Sequence, residues 1–234
     1  MNIQQFYFIF KLTIPVAMAY VPLGLALGVF MVSSGIQWFW APLSALIIFA
    51  GSIEFLAVSF IISGLPLAAI AWTTLIVNFR HLFYGLSFPL SSFSSRWQKI
   101  YGIYALTDET YGITSAGAGQ KLRDSEITLL QVISHLWWVG GALFGAFVGT
   151  IIPPEIKGFE FALTAMFVTL AVDAVRHHRE NQLILYAVIS SVAGILSERY
   201  IAEHSFLATG LICYLILISK DYKTECKEVL VHDS

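Results

Sequence analysis

The chain has 234 residues and a formal net charge of −2; 57% of it is hydrophobic and only 12% charged, where soluble domains carry about a quarter charged residues. That composition excludes a water-soluble fold of this size, which could not bury so much apolar sequence. The absence of any long basic tract excludes a nucleic-acid surface.

The charges are also unevenly placed. Leu12 to Ile53, Leu56 to Phe79 and Ile127 to Pro154 contain no Asp, Glu, Lys or Arg. One helical crossing needs roughly 20 apolar residues. The sequence therefore predicts an all-α, polytopic integral membrane protein with seven or eight transmembrane helices in one transport domain spanning 1–234. The predicted segments are 12–32, 40–62, 66–88, 100–118, 127–151, 158–175, 182–198 and 204–219. A re-entrant segment in place of a pair stays open.

The first segment holds Pro15 and Pro22 in its interior, and the carbonyls they free need another partner in lipid. It reads as a retained helix, since its apolar run is too long for a signal peptide. Gly24 and Gly28 here, and Gly141, Gly145 and Gly149 in the fifth segment, have the small-residue spacing of helix packing faces. Tyr20–Phe30 and Trp138–Val148 are similar enough to hint at an internal repeat. The second segment contains Phe49-Ala50-Gly51-Ser52, which reads either as a helix break facing a ligand or as a close helix contact. His135 lies in mid-segment beside Trp137 and Trp138.

Lys and Arg in the loops set orientation. Eight fall on the side holding both termini and four on the other, which predicts cytoplasmic termini. Residues 220–234 read as a polar cytoplasmic tail. Asp173, Arg176, His177, His178 and Arg179 read as a cytoplasmic rim. Cys213 is in an apolar stretch and Cys226 in the tail, so no disulfide is expected. The histidines have no partners at metal-ligand spacing, and no cofactor is expected. No zinc-protease, nucleophile-elbow or Walker motif is present, so the expectation is a non-enzyme.

Depth is the strongest functional signal. At 1.5 Å per residue, Asn78 and Arg80 lie near the middle of 66–88. Gly51, Ser52 and Glu54 lie near the middle of 40–62, and Asp108 and Glu109 near the middle of 100–118. A charge at a helix centre costs about 2.5–3.5 kcal/mol on insertion scales and normally marks a substrate or ion path. Arg80 has an alternative as a helix end with a snorkelling guanidinium. That would require the helix to stop near Val77, and apolar sequence continues to Phe88. Asp108 and Glu109 have the alternative of a surface loop, and Glu54 that of an ion pair with Arg80. One cation against three acids suits a zwitterion, or proton coupling, because burial disfavours a charged carboxyl. His81 is either a participant near neutral pH or a satisfied polar residue.

At these same residues the chain resembles the AzlC-type branched-chain amino acid exporters, the large subunit of a two-component permease. The matching stretches are Pro15–Gly28, Phe49–Phe55 (FAGSIEF), Val77–Ser87 (VNFRHLFYGLS), Ala105–Thr110 (ALTDET) and Phe161–Phe167. The resemblance implies outward transport of valine, leucine, isoleucine and methionine, and a small AzlD-like membrane subunit as partner. Gln is common in that family where Glu54 stands, so Glu54 bears on substrate range or coupling ion. The combined expectation is a secondary carrier in the cytoplasmic membrane, driven by protons or membrane potential. In it Arg80 and Asn78 meet the substrate carboxylate, and Glu54, Asp108 or Glu109 meets the ammonium or a proton. Phe49, Phe55, Phe83 and Tyr84 hold the side chain, and a passive channel or a non-transporting scaffold is the alternative.

Overall fold

The computed structural model describes residues 3–90, 93–115, 119, 121–153, 156, 158–159, 161–162, 164–165, 168–169, 171–172, 181–200 and 205–232. Among them the regular elements are ten α-helices. They are α1 (Ile3–Ser33), α2 (Trp40–Ile47), α3 (Gly51–Ser63), α4 (Leu67–Val77), α5 (Arg80–Ser87), α6 (Arg96–Tyr104), α7 (Asp108–Ser115), α8 (Asp124–Gly149), α9 (Asn181–Tyr200) and α10 (Phe206–His232).

Three predicted segments are broken near their middles. The 40–62 segment is interrupted between Ile47 and Gly51, where FAGS had suggested a break. The 66–88 segment does stop at Val77, contrary to the uninterrupted helix expected from its apolar sequence, and resumes at Arg80 after a two-residue turn. The 100–118 segment is interrupted over residues 105–107. α1 begins earlier than expected and runs unbroken through Pro15 and Pro22. α10 continues to His232, so helix extends through most of the stretch read as a tail. The segment expected at 158–175 falls largely outside the described residues, as do Asp173, Arg176, His177, His178 and Arg179.

The helices α1, α8 and the stretch 182–200 are each long and apolar enough to cross a bilayer. Their outward faces carry exposed Leu136, Phe144, Phe147, Val188, Val192 and Ile195. Soluble monomers rarely expose apolar surface so continuously, so these faces are lipid-facing. The chain is a multi-pass helical membrane protein.

The chain divides into two units, 1–65 with 78–166, and 66–77 with 167–234. In the first, α1 and α8 form the spine. A Cβ on Gly24 would lie 2.9 Å from Ala142 N, one on Gly28 2.3 Å from Ala146 N, and one on Gly149 3.0 Å from Val32 Cβ. The paired positions advance together along both helices, so α1 and α8 run parallel. The glycines allow backbone-to-backbone approach, the packing role their spacing predicted. Leu27, Ala142, Ala146, Val16 and Trp138 are buried in one cluster with Phe55 and Val58 of α3. In the second unit α9 and α10 pack closely where Gly194 meets Phe206, and Ser197 is hydrogen-bonded to Ser205 and Thr209.

Candidate functional site

A broken helix leaves carbonyls at one end and amides at the other without helical partners. In the α2–α3 break, Phe49 takes φ 47° and Ala50 φ −140°. A left-handed backbone at a residue with a Cβ costs roughly 1–2 kcal/mol, and ring contacts hold it. The Phe49 ring stacks on His135 at 4.1 Å and meets Tyr20 at 6.2 Å. The freed Ala50 N–H donates to Glu54 Oε1 (3.1 Å). Trp138 Nε1 donates to the same oxygen (2.9 Å), and Ser44 Oγ to Glu54 Oε2 (3.0 Å). Glu54 is fully buried and both of its oxygens are occupied. Gly51 is where a Cβ would strike the Trp138 ring at 2.9 Å. Ser52 is buried in the same first turn of α3.

The α6–α7 break is closed by threonines. Thr107 Oγ1 accepts the Thr110 N–H (3.3 Å) and Thr110 Oγ1 accepts the Thr107 N–H (3.0 Å). This reciprocal cap starts α7. Asp108 and Glu109 follow in its first turn, where helix dipoles favour acids. Glu109 Oε2 accepts from the Tyr20 hydroxyl of α1 at 2.7 Å.

Arg80 opens α5, and its Nη1 lies 2.6 Å from Asp108 Oδ2. Both side chains are partly buried, at 32% and 20% exposure. Three neighbouring polar atoms are buried with no hydrogen-bond partner: Asn78 Oδ1, Arg80 Nε and Asp108 Oδ1. His81 Nδ1 lies 3.2 Å from Asn78 O. The Tyr84 ring stacks on Tyr111 at 4.5 Å and meets His81 edge-on at 5.6 Å.

The predicted residues therefore separate into two linked groups. Arg80, Asp108, Asn78, His81 and Tyr84 gather at the start of α5 and α7. Glu54, Phe49, Gly51 and Ser52 gather against α8, and Glu109 connects to α1. Arg80 pairs with Asp108 and not with Glu54. The expected apolar cage does not assemble around them. Phe55 is buried against Phe30, and Phe83 is half-exposed beside Phe79.

Sequence reasoning missed Tyr20, Tyr104 and Gln131 and left His135 without a role. Tyr104, Gln131 and His135 each meet a backbone carbonyl at a break, and Tyr20 bonds side chains at the start of α7. His135 Nε2 lies 3.1 Å from Ala45 O, Tyr104 donates to Leu46 O (2.7 Å), and Gln131 donates to Gly102 O (2.9 Å). The legible signal was a Gln and a His within the charge-free run from Ile127 to Pro154.

Broken helices with charged residues in their first turns, together with a glycine-packed pair of long apolar helices, define a membrane protein with polar groups gathered at its helix breaks. The AzlC protein family model matches residues 15–152, more than half of the chain, and the chain belongs to that family. It is 30% identical to the branched-chain amino acid transport protein AzlC of Bacillus subtilis, over 80% of this chain and 74% of that protein. It is 28% identical to a membrane protein of Haemophilus influenzae over 93% and 90% of the two chains. It is 25% identical to the inner membrane protein YgaZ of Escherichia coli over 79% of each. No solved structure matches the chain.

Proposed function

We propose that the protein is a secondary carrier that moves branched-chain and other small apolar amino acids outward across the cytoplasmic membrane. It holds the zwitterionic end of its substrate at the Arg80–Asp108 pair. The carrying observation is the set of unbonded atoms around that pair, two acceptors (Asn78 Oδ1 and Asp108 Oδ1) and one donor (Arg80 Nε). An α-ammonium brings three donors and an α-carboxylate brings acceptors, so a free amino acid satisfies all three. Buried polar atoms without partners are costly, and occupancy removes that cost. Asn78 thus moves from the carboxylate to the ammonium side. Glu54 has both oxygens engaged and is assigned to holding the α2–α3 break. Family membership and the similarity to the branched-chain amino acid transport protein of Bacillus subtilis support the same reading. The proposal includes a small AzlD-like membrane subunit, both termini in the cytoplasm, and coupling to protons or membrane potential.

The test is valine counterflow in proteoliposomes, with and without the small subunit, competed by isovalerate and by isobutylamine. Each competitor keeps the branched chain and lacks one charged end. Expected is saturable counterflow that valine and leucine block and that each analogue blocks at least about 30-fold less well, given the cost of leaving a polar group unpaired. Equal competition by either analogue removes the zwitterion site. Flux that never saturates or shows counterflow makes the protein a channel, and no flux under any condition makes it a scaffold.

A further inference from the structure

Three side chains of α8 reach across to ends of helices other than their own. Gln131 Nε2 donates to Gly102 O near the end of α6 (2.9 Å). His135 Nε2 lies 3.1 Å from Ala45 O near the end of α2. Trp138 Nε1 donates to Glu54 Oε1 at the start of α3 (2.9 Å). Residues 131, 135 and 138 are four and three apart, so they share one helix face. All three are buried, with Gln131 fully so. The two carbonyls are ones a continuous helix would have used itself. The Leu106 N–H bonds Ile103 O, leaving Gly102 O free, and Ala45 O loses its partner where Phe49 turns left-handed.

His135 has a defined tautomer. A carbonyl only accepts, so Nε2 carries the hydrogen. Nδ1 then accepts from the Tyr101 hydroxyl at 3.2 Å. The ring that holds the carbonyl also stacks on Phe49, so one side chain fixes both the freed carbonyl and the left-handed residue.

We propose that Gln131, His135 and Trp138 are positioning residues for transport. They form a rail of N–H donors on the rigid α8 that fixes the open ends of the α2–α3 and α6–α7 breaks and so sets where Asp108 stands for the substrate. The inference rests on the carrier reading above. The rail touches no substrate. It acts through α6, which leads by residues 105–107 into Asp108, and through Tyr104 of α6, which donates to Leu46 O and joins the two breaks.

The experiment compares His135→Phe with His135→Gln in purified, reconstituted protein. Phe keeps a ring against Phe49 and removes the donor, whereas Gln keeps an N–H donor of similar reach. Two quantities are measured on each: the apparent valine affinity, and amide hydrogen exchange over residues 44–50 and 102–108. The expected result for His135→Phe is an affinity roughly tenfold weaker, as for a lost hydrogen bond to a buried acceptor, with faster exchange in both stretches. His135→Gln should restore both to within about threefold. Trp138→Phe, which leaves Glu54 one donor short, should repeat the exchange increase around residue 50. Parental affinity and exchange in folded His135→Phe overturn the proposal. So does an equal loss in both His135 variants, which would show that an N–H donor at this position does not restore the breaks and that the imidazole acts in some other way. If the parental protein neither binds nor moves valine, the carrier reading falls, and the exchange comparison alone still decides whether the rail holds the breaks.

Discussion

Arg80 Nη1 and Asp108 Oδ2 stand 2.6 Å apart, joining the first residues of two short helices that are 28 positions apart in the chain. Asp108 sits favourably at a helix start, but Arg80 does not, because a cation opposes the partial positive charge there. The ion pair offsets that penalty and ties the α4–α5 turn to the α6–α7 break. Each partner retains one buried, unbonded atom, so the pair is held together with hydrogen-bonding capacity left over.

Removing one partner is therefore expected to be worse than removing both. Arg80→Ala or Asp108→Ala alone leaves a partly buried charge unpaired, at a cost of about 1–3 kcal/mol after allowance for partial exposure. The double variant should lose less than the sum of the singles. Thermal unfolding of the purified variants measures this as a double-mutant cycle. Strict additivity would show that the two charges act independently. All three variants should lose valine counterflow.

Tyr20 extends the same network to the spine. Its hydroxyl lies 2.7 Å from both Glu109 Oε2 and Thr107 Oγ1, so α1 grips the start of α7. Tyr20→Phe should keep the edge-on ring contact with Trp138 at 5.5 Å. It should lower stability by about 1–3 kcal/mol through the unsatisfied carboxylate. The unfolding temperature should fall, and adding Glu109→Gln should recover part of the loss. A Tyr20→Phe protein as stable as its parent would remove the gripping role.

Glu54 sits in the interior of the fold, yet its bonds are those of a cap. Glu54→Gln keeps the oxygen that accepts from Ala50 and Trp138. Its new NH₂ meets Ser44 Oγ, which can accept while donating to Ala41 O, 3.0 Å away. Folding and counterflow should survive this substitution. Glu54→Ala strands the Ala50 N–H and the Trp138 N–H together, and should reduce the yield of folded protein and abolish counterflow. Loss of counterflow in a well-folded Glu54→Gln protein would instead give the carboxylate a direct role in coupling.

The charged positions themselves were legible in the sequence, because a charge set in apolar sequence needs no partner to be seen. The break at Phe49–Gly51 was legible because small residues mark it. The stops at Val77 and Tyr104 were not. Val77-Asn78-Phe79 contains neither glycine nor proline, and local propensity continues the helix. What ends these helices is distant: Asp108 for Arg80, Gln131 for Gly102 O, and His135 for Ala45 O. Such partners lie 28 to 90 residues away, as Arg80–Asp108, Gly102–Gln131 and Ala45–His135 do, and no periodicity encodes them. The apolar cage failed for the same reason. Phe55 directly follows Glu54 and Phe83 lies three residues after Arg80, but the helices turn the first inward and leave the second half-exposed.

The glycine spine offers the sharpest stability test, because its legible spacing and its observed geometry make the same demand. A Cβ at Gly28 would sit 2.3 Å from Ala146 N and 2.4 Å from Ala142 O, both backbone atoms that cannot rotate away. Gly28→Ala must push α1 and α8 apart, costing about 1–3 kcal/mol as overpacking, and Gly28→Val should prevent folding. Gly85 is the control, since nothing lies within 4 Å of a Cβ there. Gly85→Ala lies inside the short α5 and should be neutral or stabilising by up to about 1 kcal/mol from helix propensity. Unfolding temperatures in detergent compare the two directly. A Gly28→Ala protein as stable as Gly85→Ala would mean that the spine is not packed backbone to backbone, and the placement of every break hung from α8 would have to be rebuilt.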